Sequence, residues 1–203
     1  MVDASRNTVF VSTGNNYIHP ADGAESSNPN KTYGECSAAG GTSASCNSPN
    51  DHVDSVLALD MTTGAVKWSR KLVDWGLDAF GVPSGSDDWN VDCFFAGPSC
   101  PSNPGPDFDF GSTPNLITYQ GAHGPKTILG AGQKSGIYIA MDPDTGNMLW
   151  QTQVGPGSSL GGMEWGSASD GNRIYVQIAN VYWWTSASAT AMVSVRPFVG
   201  SGR

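Results

Sequence analysis

Apolar and polar residues alternate in short runs along this chain, and nowhere do they recur with a helical period. Val56, Leu57, Ala58 and Leu59 form one such run and Ile137, Tyr138, Ile139 and Ala140 another; runs of this length bounded by turn residues are the mark of a buried strand. Nine strands are predicted: 8–13, 55–60, 65–70, 114–119, 126–131, 136–142, 147–154, 163–168 and 173–179. Two long polar loops interrupt them, over 18–52 and 74–110, and loops of such length in a compact domain are usually functional.

Two of the strand pairs are near copies. Ala58-Leu-Asp-Met-Thr-Thr-Gly-Ala-Val-Lys-Trp68 and Ala140-Met-Asp-Pro-Asp-Thr-Gly-Asn-Met-Leu-Trp150 share the frame Ala-x-Asp-x-x-Thr-Gly-x-x-x-Trp, their tryptophans 82 residues apart (68 to 150). In each, Asp and Thr can bond nearby backbone N–H groups, and Gly64 or Gly146 can take the positive φ that strains other residues. Each copy therefore reads as a β-hairpin whose last large ring packs on something. Four-stranded propeller blades of about 40–50 residues fit two blades, or one blade with a long insertion, into this spacing. The expected fold is all-β, a partial β-propeller of two to three four-stranded antiparallel blades over residues 1–180, followed by an irregular tail over 181–203. A ring that removes sheet edges needs at least four blades, so self-association, or pairing with the rest of a propeller, is expected.

Composition narrows the partners. Twenty-six glycines and 13 prolines suit a loop-rich β structure. A formal net charge of −8 argues against nucleic acid or an anionic membrane surface as partner. No apolar run reaches the length of a membrane span, and the N-terminal residues do not read as a signal peptide. The four cysteines fall into two close pairs in polar loops, Cys36 with Cys46 and Cys93 with Cys100. They are expected to form disulfides, which points to a periplasmic or secreted protein. The three histidines are scattered in polar loops and are expected at the surface.

Four local features bear chemistry. Ser12-Thr-Gly-Asn15-Asn-Tyr17 ends a strand with an amide able to serve a hard cation. In Asp107-Phe-Asp109-Phe-Gly111 two carboxylates at i and i+2 point the same way on an extended chain, and can share a metal or divide into base and ligand. Gly130-Ala-Gly-Gln133-Lys134-Ser-Gly136 sets a lone Lys among glycines before a buried strand, and Gly161-Gly-Met-Glu164-Trp165-Gly166 flanks a large ring with glycines. Taken singly, each has a plain alternative: a turn Asn, a solvated Asp-x-Asp, a simple hairpin, a core Trp.

In their order along the chain, from about Val9 to Asn180, these features and the Trp-bearing repeat resemble the pyrroloquinoline quinone (PQQ) alcohol dehydrogenases, most nearly the polyvinyl-alcohol branch. The repeat matches what that family calls its tryptophan-docking motif. The resemblance implies an eight-bladed propeller with PQQ and a calcium or lanthanide ion on its axis, an alcohol or polymeric alcohol as substrate, and a cytochrome as electron acceptor. Residue by residue it implies that Asn15 ligates the metal, that Asp107 both contacts the metal and accepts the alcohol proton, and that Asp109 is the extra carboxylate of lanthanide-using members. Lys134 falls on the residue that bonds the quinone oxygens, and Glu164-Trp165 lies where relatives have Asn-Trp beside the cofactor, so Glu164 departs from the pattern. The family's metal-binding Glu, its stacking Trp, its adjacent-cysteine disulfide and a Cys-x-x-Cys-His haem site find no match, so about half of a site is expected. The other open reading is a propeller-repeat binding or scaffold module without redox activity.

Overall fold

The computed structural model describes residues 1–15, 52–71, 91–95, 100, 107–179 and 190–195. Among these residues eleven strands form three antiparallel sheets, each a simple meander. The first contains β1 (Val2–Asp3), β2 (Thr8–Ser12), β3 (Ser55–Asp60) and β4 (Val66–Lys71); the second contains β5 (Asn115–Gly121), β6 (Gly124–Gly132), β7 (Ile137–Met141) and β8 (Met148–Gln153). The third has three strands, β9 (Ala168–Ser169), β10 (Ile174–Ala179) and β11 (Thr190–Val195).

The repeat explains the likeness of the first two sheets. In both hairpins the frame's Ala faces its Trp across the ladder, Ala58 opposite Trp68 and Ala140 opposite Trp150, and the register slips just after that Ala. The slip opens into matching turns. Asp60 Oδ1 accepts from the N–H groups of Thr62 and Thr63 and from the Thr63 hydroxyl; Asp142 Oδ1 does the same for Asp144 and Thr145. Gly64 and Gly146, at φ +75 and +68, donate to the carbonyls of Asp60 and Asp142 at 2.8 Å each. The Asp carboxylate, Thr hydroxyl and Gly backbone are the residue-specific groups that close this turn, which is why those positions recur while the ones between them vary.

Strand parity places the second sheet in the middle. Ile137, Ile139 and Met141 join Phe10, Val56, Ala58, Phe110, Leu129 and Ala131 in one core, with Trp68 packed against it. Tyr138 and Ala140, on the other face of the same strand, join Ile117, Ile128, Met163, Ile174, Val176 and Ile178 in a second core, with Trp150 against it. Because side chains alternate along a strand, β7 is buried on both faces and reads as an uninterrupted apolar run.

The structure departs from the sequence-based expectation in three places. The strand expected over 163–168 is reduced to Ala168–Ser169, because Gly162 at φ +71 turns the chain so that Met163 enters the second core and its N–H donates to the Gln133 carbonyl at 3.2 Å. A short strand, Val2–Asp3, precedes the first one expected. Within the tail expected to be irregular, Thr190–Val195 forms a strand paired with β10 at six positions; a ladder of backbone hydrogen bonds needs no repeat motif. Cys93 and Cys100 form a disulfide, whereas Cys36, Cys46 and most of both long loops lie outside the described residues.

Candidate functional site

Three chain segments meet where β2 and β6 end. The first is Thr13–Asn15, held to the first sheet by the Thr13 N–H on the Ser55 carbonyl at 2.9 Å and by the Asp54 N–H on the Gly14 carbonyl at 3.2 Å. The second, Asp107–Gly111, runs beside it, the Phe110 N–H reaching the Thr13 carbonyl at 3.4 Å while the Phe110 ring anchors in the first core. The third is Gln133–Lys134, directly after β6. Its Lys134 N–H donates to the Asp109 carbonyl at 3.0 Å.

Asp109 links all three. Its Oδ1 accepts the Asn15 N–H at 2.6 Å and its Oδ2 accepts the Lys134 ammonium. The same ammonium lies 3.5 Å from Asp107 Oδ1, and the Asn15 side chain also hydrogen-bonds Asp107. The alternation that sets Asp107 and Asp109 on one side of an extended segment thus brings both carboxylates to one cation. Gly14 makes the approach possible: a Cβ there would sit 2.9 Å from Asp109 Cγ, closer than real contacts allow.

The electrostatics follow from burial. Desolvation raises the Asp107 pKa above its ordinary value and the nearby Asp109 charge adds to the rise, while Lys134 and Asn15 oppose it. For Lys134, burial alone would lower the pKa; the Asp109 hydrogen bond and the charges of Asp109, Asp107 and Glu164 outweigh it and raise it. The ammonium therefore stays charged, and one carboxylate of the pair holds its proton more tightly than an exposed Asp.

Of the six residues singled out in the sequence, Asn15, Asp107, Asp109 and Lys134 come together. Glu164 is half-buried beside them and acts on Lys134 through its charge, its backbone against Gly111. Trp165 is 61% exposed, so it is not a core ring. Two buried polar residues lie next to the site: Asp54, whose N–H binds the Gly14 carbonyl, was not singled out in the sequence, and Gln133 entered it only as the neighbour of Lys134. Asp54 is fully buried with φ +45, an acid in a left-handed turn where glycine is more usual. Gln133 is likewise fully buried, with no hydrogen-bond partner among the described residues for either side-chain polar atom. The chain has one Gly-x-Ser-x-Gly match, Gly157–Gly161, but it lies in the turn after β8 with Ser159 exposed and no helix behind it, so it is not a nucleophile elbow. Among the described residues no group of three or more His, Cys, Asp or Glu side chains is arranged to hold a metal, and no helix is long and apolar enough to cross a membrane.

No family model matches the chain. It is 37% identical over 129 residues to a polyvinylalcohol dehydrogenase of Pseudomonas sp., covering 63% of this chain and 18% of that protein. It is also 37% identical over 138 residues to a polyvinylalcohol dehydrogenase of Sphingopyxis sp. strain 113P3, covering 66% of this chain and 19% of that one. The chain thus spans about a fifth of the length of these relatives. In structure it is similar to part of a quinohemoprotein alcohol dehydrogenase from Comamonas testosteroni, with a TM-score of 0.52 and 15% identity over 89% of this chain and 25% of that one. The shared fold is the β-propeller.

Proposed function

We propose, from the chain's place as a fragment of the PQQ-dependent alcohol dehydrogenase family, that its Asn15–Asp107–Asp109–Lys134 cluster is part of the site where an alcohol is oxidised. The observation that carries this reading is the one lysine shared by two largely buried carboxylates and tied through Asp109 to Asn15. The donors fit the family's groups in type: carboxylate and amide oxygens suit a hard cation such as calcium or a lanthanide, and an ammonium suits the oxygens of a quinone.

When bound, PQQ with its metal ion would supply the two-electron acceptor and the Lewis acid. Asn15, Asp107 and Asp109 would hold the ion, and Lys134, with Glu164 and Trp165 beside it, would hold the quinone. Asp107 takes the proton of the alcohol O–H; desolvation raises its pKa above the ordinary carboxylate value. Lys134 keeps Asp107 and Asp109 together and maintains positive charge where a quinone gains negative charge. Asn15 orients Asp107 through its side chain and Asp109 through its N–H. A polymeric or small alcohol is the substrate, a cytochrome the electron acceptor, and the periplasm or the exterior the location, in keeping with the Cys93–Cys100 disulfide.

The test is titration of the purified chain with lanthanum or calcium, alone and with PQQ, followed by tryptophan fluorescence, on wild type and Asp107→Ala. Lanthanum binding tighter than calcium, lost in the variant, is expected, since two carboxylates gain more from the higher cation charge. Weak PQQ binding and feeble or no turnover are expected from the chain alone. Binding of neither metal nor PQQ, or binding that Asp107→Ala leaves unchanged, would overturn the assignment and favour a propeller module without redox chemistry.

A further inference from the structure

Lys134 stands where a cation belongs. Its ammonium bonds Asp109 Oδ2 and lies 3.5 Å from Asp107 Oδ1, so the two carboxylates assigned to a metal ion already share one positive charge. The side chains of Lys134 and Asp107 are each 12% exposed and that of Asp109 10%, and a carboxylate pair so far from water needs such a charge between its members. An ion drawing on the same oxygens would face the ammonium at close range, where like charges repel strongly. The two cations exclude each other.

The lysine side chain can give way while its backbone stays. The Lys134 N–H donates to the Asp109 carbonyl at 3.0 Å, and its carbonyl accepts the Ser158 N–H at 3.2 Å. Gly162 packs so closely on that carbonyl that a Cβ there would be 2.0 Å from the oxygen. The ammonium, by contrast, is a point charge at the end of a flexible four-carbon stem.

A third carboxylate is placed to receive it. The Met163 N–H donates to the Gln133 carbonyl at 3.2 Å, and the Glu164 backbone rests on Gly111, where a Cβ would be 3.1 Å from Glu164 Cα. Glu164 is thereby anchored between the residue before Lys134 and the segment that carries both aspartates. It is half-buried and its charge acts on Lys134. Among the described residues its carboxylate forms no hydrogen bond and no short ion pair.

We infer, on the reading that Asp107 and Asp109 hold the metal ion, that Lys134 is the ion's internal competitor and that Glu164 takes up the ammonium the ion displaces. Asp107, Asp109 and Glu164 act on one ammonium in the present arrangement; the exchange leaves the two aspartates with the ion and Glu164 with the lysine, so each cation keeps a counter-charge. Glu164 is then a positioning residue that acts through Lys134. Because displacement takes the ammonium off the aspartates and leaves it available to quinone oxygens, ion and quinone favour each other's binding, and such coupling is reciprocal.

Calorimetric titration of the full chain with lanthanum chloride tests this in wild type, Lys134→Met, Glu164→Gln and the double variant. Lys134→Met is expected to bind lanthanum more tightly than wild type by about tenfold or more, the size of one charge-assisted hydrogen bond, although the variant is less stable. Lys134→Gln, whose amide can still bond the carboxylates, should shift the affinity in the same direction and keeps the test valid if Lys134→Met folds poorly. Glu164→Gln should weaken lanthanum binding by about fivefold or more in the wild-type background, and much less beside Lys134→Met, where no ammonium is left to receive. A purely structural role, or direct attraction of the ion by the Glu164 charge, would give the same loss in both backgrounds, and that result would overturn the part given to Glu164. Lanthanum binding by wild type that removal of the lysine charge leaves unchanged or weakens would overturn the competition while the metal assignment stood. Lanthanum bound by none of these proteins would overturn the inference and the assignment together.

Discussion

Lys134 and Asp109 are joined twice, backbone N–H to carbonyl at 3.0 Å and ammonium to carboxylate. The double link fixes the end of β6 to the segment that carries both candidate acids, and makes the lysine as much a part of the fold as of the site.

Lys134→Met is therefore expected to leave Asp107 and Asp109 as two unneutralised carboxylates whose side chains are only 12% and 10% exposed. Breaking a buried pair from one side costs about 3–5 kcal/mol. Urea unfolding should show a loss of that order at neutral pH, and a smaller one when Asp109→Asn is combined with it, because the double variant removes one of the stranded charges.

Gly14→Ala should act on the site without touching a charge. The new methyl collides with the Asp109 carboxylate, and overpacking of this kind costs about 1–3 kcal/mol. The informative measurement is metal titration. Displacement of Asp109 from the Asn15 N–H predicts weaker binding than in wild type even under conditions where the variant is fully folded.

Gly146→Ala and Gly64→Ala form a matched pair. Both glycines have positive φ, so both variants pay the left-handed strain of about 1–2 kcal/mol. Only Gly146 has the Trp68 ring against it. Thermal or denaturant unfolding should show Gly146→Ala to be the more destabilised by about 1–3 kcal/mol, the cost of forcing a methyl into packed space. Equal losses would mean that the ring is not held on the turn.

The pH dependence of stability has limbs of opposite origin. The Ser5 hydroxyl and the Arg6 guanidinium lower Asp3 from 3.8 to about 2; its contribution is complete above 3.8 and is lost as pH falls through about 2. Lys134 and Tyr138 are both raised, Lys134 by its carboxylates against the pull of burial, and Tyr138 by burial from 10.0 to about 12. Their contributions are complete below the unfolded values of 10.5 and 10.0 and fade as pH rises through the folded ones. Denaturant midpoints measured across pH should fall on both sides, with Asp3→Asn flattening the acid limb and Tyr138→Phe reducing the alkaline one.

The sequence by itself determined what is local. Alternation placed β3 at Ser55–Asp60, as expected, and the other paired strands of the first two sheets to within a few residues, and the recurring Asp, Thr and Gly specified both turns, because a strand's parity and a turn's hydrogen bonds are settled among near neighbours. The same two-residue period put Asp107 and Asp109 on one side of their segment. Contacts between distant parts of the chain were decided only by tertiary structure. That Lys134 reaches Asp107 and Asp109 across 25 residues or more and Asn15 reaches Asp109 across 94 depends on the sheets packing face to face. So does the burial of Asp54 and Gln133, neither of which carries any local pattern. The turn of Gly162 that dissolved an expected strand and carried Met163 into the second core, and the β11 ladder on β10 in a stretch without the repeat, are likewise pairings with distant parts of the chain. A ring at the end of a hairpin is legible as a residue that must pack, but its partner, Gly146 for Trp68, is chosen by the neighbouring sheet.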